Sequence, residues 1–180
     1  MRAFLLRAVE ALPLAVFLLY MAVVDPRAQS EWRAPYFAAT ALALAAAVVL
    51  WRHGAVFNRV YLGISLYFAS GTLALVTRWP WLNEFYGRLE GTAMLFWVLG
   101  TGIGFSLVSR RGFLGLDADP RTVRTSSWLL VAITALATAF SLAFVGRRLW
   151  SSFLPFIAVF AAHGLIKARL HARARRSSKA

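Results

Sequence analysis

Six apolar runs divide the chain, at residues 4–24, 36–51, 60–76, 89–108, 127–145 and 149–165, each between 16 and 21 residues long. A helix rises about 1.5 Å per residue, so about 20 residues cross the hydrocarbon of a bilayer, and the runs are predicted to be membrane-spanning helices. The connections carry turn and charge signals. Asp25-Pro26-Arg27 follows the first run, Arg52-His53-Gly54 closes the second, residues 77–88 link the third to the fourth, and Asp119-Pro120 marks a turn in the long connection 109–126. Within the third run, Gly63, Ser65, Ser70, Gly71 and Thr72 are small enough to let helix backbones approach closely. In the fourth run, Gly91, Gly100 and Gly104 are read as helix-packing positions, the last two at the G-x-x-x-G spacing of a close crossing.

Composition agrees with this pattern. With 60% hydrophobic residues in 180 and a mean hydropathy of +0.65, no polar exterior remains to enclose a water-soluble core. The predicted class is therefore all-α, a polytopic membrane protein built as a bundle of six transmembrane helices. There is no cysteine, which excludes disulfides, thiolate metal sites and thiol catalysis. The first run is expected to be retained rather than cleaved as a signal peptide, because Glu10 interrupts it and it exceeds a typical signal core in length.

The net charge of +13 is distributed in a way that reports topology rather than nucleic-acid binding, which is not expected. Six crossings place both termini on one side. That side holds fourteen of the 20 basic residues: Arg2, Arg7, Arg52, Arg59, Arg110, Arg111, Arg121, Arg124 and the six of the tail from Lys167 to Lys179. The other side holds Arg27, Arg33, Arg78, Arg88, Arg147 and Arg148, so both termini are predicted to be cytoplasmic. Six of the seven tryptophans, all but Trp97, fall at predicted helix ends, as in an interfacial belt. Residues 1–166 form the predicted transmembrane domain and 167–180 a basic cytoplasmic tail, whose Arg169, Arg173, Arg175 and Arg176 are candidates for contact with lipid headgroups. The two halves of the chain share no matching motif, so no inverted repeat points to a transporter.

An ionisable group inside hydrocarbon is costly unless paired, which singles out Arg7, Glu10, Glu90 and His163 as a candidate intramembrane polar site. Arg7 and Glu10 lie three residues apart on one helical face, and Pro13 frees the carbonyl of Val9 beside them. A structural Arg7–Glu10 pair is the first expectation, a proton or substrate site the second. His163 lies at comparable depth and is a candidate partner for Glu10, while Glu90 is placed at the headgroups. The motifs of zinc proteases, serine hydrolases and P-loop enzymes are absent, and Asp117 and Asp119 read as a turn rather than a cation site. No catalytic residue, metal ligand or cofactor is assigned.

The segment Glu10-Ala-Leu-Pro13-Leu-Ala-Val-Phe17-Leu-Leu-Tyr20 resembles the opening acidic-x-L-P-L-x-x-F-x-x-Y motif of the intracellular septation protein A family of bacterial inner-membrane proteins. Ala38-Ala39-Thr40, Phe68 with Gly71-Thr72-Leu73, Phe113-Leu114-Gly115 and Trp128 fall at similar places. The likeness spans most of the chain, as a divergent relative whose tail is more basic. It implies a non-enzymatic, multi-pass inner-membrane protein that supports cell-envelope biogenesis or septation. The implied partners are membrane lipids and other membrane proteins of envelope synthesis or division, with homo-oligomerisation left open. The competing expectation is a small transporter or lipid-handling protein with Glu10 lining an intramembrane site.

Overall fold

The computed structural model describes residues 2–24, 29–147 and 149–177, and every regular element among them is helical. Helix α1 spans Arg2–Val24, α2 Arg33–Arg52, α3 Arg59–Val76, α4 Pro80–Leu89, α5 Gly91–Val108, α6 Pro120–Ala143 and α7 Leu154–Ser177. A short 3-10 turn, Gln29–Trp32, leads into α2, and a π-helical turn, Leu149–Phe153, leads into α7. Among the described residues, five segments are long and apolar enough to cross a membrane: α2, α3, α5, α6 and the stretch Trp150–Ala172. Their outer faces are strongly apolar. Leu44 is 64% exposed, Leu73 55%, Leu107 66%, Leu136 72% and Ile157 62%, a surface suited to lipid and not to water.

Two compact units make up the chain, Met1–Arg88 and Leu89–Ala180. α7 continues as one helix through Lys167 and Arg169 to Ser177. Once a helix is nucleated in the apolar segment, adding lysine and arginine costs little, since both propagate helix well.

In the first unit α1 packs along α2, and α2 along α3. Phe17, Tyr36, Tyr67, Phe68 and Tyr86 form its core, with ring centroids 4.8 Å apart for Phe17–Phe68 and 4.9 Å for Tyr67–Tyr86. In hydrocarbon, tyrosine and threonine hydroxyls must find partners within the protein. The Tyr36 and Tyr67 hydroxyls meet at 2.6 Å. Thr72 Oγ1 donates to the Tyr36 carbonyl, so the proton shared with Thr40 Oγ1 at 2.8 Å comes from Thr40. By the same logic Ser70 Oγ donates to the Tyr67 carbonyl and accepts from the Tyr86 hydroxyl at 2.8 Å. Gly71 makes this packing feasible, because a Cβ there would overlap the edge of the Tyr36 ring at Cε1.

The connection expected over 77–88 is largely helix α4. Pro80 supplies the helical φ at its start, and Tyr86 turns inward while Trp81 and Phe85 stay exposed.

In the second unit α6 packs against α5 on one flank and α7 on another. Its buried residues Val123, Ser127, Leu130, Val131, Thr134, Ala137, Thr138 and Ser141 recur at helical spacing. Thr134 and Thr138 hydroxyls donate to the carbonyls of Leu130 and Thr134 one turn back, which satisfies them without water. α6 begins seven residues before the predicted Ser127. Asp119 is its N-cap, accepting from the Thr122 N–H and hydroxyl, and Pro120 takes the first helical position. Those two hydrogen bonds, the backbone one foremost, hold the Asp119 carboxyl below its usual range. The Asp-Pro pair is thus a helix start as well as a turn.

The glycines of α5 divide unexpectedly. A Cβ at Gly91 would come within 2.9 Å of the Ser152 Cα, and one at Gly102 within 2.9 Å of the buried Phe113 ring. At Gly100 and Gly104, by contrast, no described atom lies within 4 Å of the Cβ position, so the G-x-x-x-G pair is not a packing seam among the described residues of its unit. Gly104→Leu is therefore expected to leave the unfolding temperature in detergent within about 1 °C of the parent. A drop comparable to a core substitution would show that bulk is excluded there after all.

Candidate functional site

Glu10 is 7% exposed on α1, whereas Arg7, one turn earlier, is exposed, so the two expected partners point to different environments. Glu10 Oε1 instead accepts from the backbone N–H of Asn58 at 2.9 Å. Asn58 is the N-cap of α3, its own side chain accepting from the Val60 N–H at 3.1 Å. The carboxylate of α1 therefore sits at the start of α3, where unsatisfied N–H groups and the positive end of the helix dipole favour an anion. Arg59, 8% exposed, follows Asn58. Asn58 was not legible as a partner of Glu10, although Asn58 immediately before an apolar run is a helix-start signal.

Glu90, placed by its sequence position at the headgroups, belongs to a second polar node. It precedes α5 with φ of 51° and ψ of −132°, a backbone region that glycine favours and that costs about 1–3 kcal/mol for other residues. Its Oε2 accepts from Ser151 Oγ at 2.7 Å. Ser141 Oγ donates to the Ser151 carbonyl, so the 2.6 Å contact between Thr92 and Ser141 has Thr92 as donor. Thr92, Ser141 and Ser151 are each fully buried. The start of α5, the end of α6 and the π turn before α7 thus meet at Ser151, whose carbonyl accepts from Ser141 and whose hydroxyl donates to the Glu90 carboxylate. The serines at 151 and 152, read as part of an apolar run, gave no sign of this.

His163 is 6% exposed on α7. Arg169 is exposed on α7; the side chains of Arg173, Arg175 and Arg176 lie outside the described residues. Asp117 pairs with Arg111 at 2.7 Å and Asp119 caps α6. Among the described residues, no group of three or more histidine or acidic side chains could hold a metal ion.

Both nodes do the same chemistry: a carboxylate in a poorly hydrated place accepts hydrogen bonds from the start of a helix or from the turn that introduces one. Fold and surface together define a multi-pass helical membrane protein. No family model matches the chain, and no curated protein or solved structure does.

Proposed function

We propose that the chain is a bacterial inner-membrane protein that crosses six times, α1 included, with both termini in the cytoplasm. It supports cell-envelope biogenesis or septation by helix packing and by contacts with lipid and other membrane proteins, without catalysis. The observation that carries this reading is the position of Glu10. It heads the most specific part of the resemblance to the septation protein family, and its carboxylate joins α1 to the start of α3. A motif whose acidic residue fastens helices together suits a scaffold. The charge asymmetry of the loops supports the orientation.

Topology is tested first: reporter fusions at Ser30 and Ala180 should report opposite sides, with Ala180 cytoplasmic, and fusions scoring on the same side would overturn the six-span arrangement. The role is tested by deleting the gene in its native host. Altered septum spacing or envelope permeability, restored by the intact gene, is the expected result. Normal division and permeability with a transport defect would favour the small transporter.

A further inference from the structure

We infer that the outward face of α6 is a binding site for one anionic phospholipid, with Arg121 and Arg124 on the phosphate, Trp128 at the glycerol level and the exposed strip of Ala132, Leu136 and Ala139 along an acyl chain. The face is defined by helical spacing. Arg121, Arg124 and Trp128 are all exposed, and at 100° per residue they fall within about 60° of one another, opposite the buried row of Val123, Ser127 and Thr134. Ala132 and Ala139 continue the same face, exposed, with Leu136, 72% exposed, beside them.

Depth agrees with this arrangement. The 24 residues of α6 extend about 36 Å, more than the roughly 30 Å of hydrocarbon, so part of the helix must project into the headgroup layer. The projecting end is the basic one. Arg124 lies about 6 Å and Arg121 about 10 Å along the axis beyond Trp128, whose indole belongs at the interface. The arginine stems can therefore lie along apolar surface while their guanidinium groups reach phosphate oxygens in a bidentate fork.

Charge complementarity selects the occupant. The two acidic side chains of the preceding connection are already engaged, Asp117 with Arg111 and Asp119 with the start of α6. Trp128 and the alanines below it distinguish a lipid from a free phosphate, which would have no use for them. The inference rests on the protein spanning a membrane and not on its envelope role, so lipid binding can fail while complementation succeeds, or the reverse.

The test uses the purified full chain in nonionic detergent, titrated separately with phosphatidylglycerol, phosphatidylcholine and glycerol 3-phosphate. Retained lipid is followed by native mass spectrometry and unfolding temperature by a thermal scan. Phosphatidylglycerol should be retained at about one molecule per chain and should raise the unfolding temperature, and the other two should do neither. R121Q/R124Q should weaken that binding about tenfold, and R33Q/R88Q, which removes the same charge from two other exposed arginines, should not. Ala132→Leu, which leaves both arginines in place, should weaken binding by setting a bulky side chain where the acyl chain lies against the low alanine surface. Equal losses for the two arginine pairs would reduce the effect to net charge and overturn the site. So would unaltered binding in both R121Q/R124Q and Ala132→Leu, or retention of glycerol 3-phosphate as tight as that of the lipid.

Discussion

Gly71→Ala is expected to destabilise the first unit by about 3 kcal/mol, at the upper end of overpacking costs, and to lower the protein level in membranes several-fold. The added Cβ would overlap the edge of the Tyr36 ring, so one of the two must move. Tyr36 is poorly able to do so. Its hydroxyl is held by Tyr67 at 2.6 Å, its carbonyl accepts from Thr72, and its ring meets Phe17 edge-on at 5.6 Å between centroids. The alternative is for α3 to shift away from α2, which would also separate Thr40 from Thr72. Combining Gly71→Ala with Tyr36→Ala should cost less than the sum of the two single variants, because the space vacated by the ring accepts the methyl group, and the double-mutant cycle would show the coupling. A single variant as stable in detergent as Gly104→Leu would mean that Tyr36 relaxes freely and that the aromatic core is less constrained than its hydrogen bonds imply.

At Glu10 the expected result is an ordering. Glu10→Gln keeps an oxygen able to accept from the Asn58 N–H and should preserve folding, abundance and complementation. Glu10→Ala leaves that N–H without this acceptor in a poorly hydrated place, at a cost of about 1–3 kcal/mol. Glu10→Lys should be the most damaging, since it sets a cation beside the buried Arg59 and the positive end of α3. Arg7→Ala should change little, because Arg7 is exposed. Thermal unfolding and immunoblots of membranes measure the first readout, and rescue of the deletion strain the second. Glu10→Gln present at normal abundance but unable to complement would remove the structural account. It would assign Glu10 to a proton or cation step, and with it the transporter reading.

The division between what was legible and what was not follows from range. Apolar runs of 16 to 21 residues broken by prolines and arginines are a local property, and in lipid a backbone that satisfies its own hydrogen bonds has few alternatives to a helix. The helical class and most element positions were therefore readable from the chain alone. Boundaries shifted where a residue carries two signals: Asp119-Pro120 reads as a turn and also caps α6, and Thr77 to Arg88, polar enough to look like a loop, contains α4. The need of Glu10 for a partner could be read from its position in an apolar run, because isolated charge is costly there whatever the fold.

Which partner it takes could not be read. The spacing of Arg7 and Glu10 offered a local pair, but a hydrogen bond from Asn58, 48 residues away, depends on how α1 lies against α3. Side chains that share a helical face by sequence can still differ in environment when one points to a neighbouring helix and the other to lipid. The glycines make the same point. Gly71, Gly91, Gly100, Gly102 and Gly104 look alike in the sequence, yet three meet neighbouring groups and two face open space. Composition and periodicity dictate that helices form and where each can cross, since these are energies of one segment in its solvent. Helix rotation and pairing decide which carboxylate meets which N–H and which glycine is indispensable, because those are energies between segments that exist only after the helices have met.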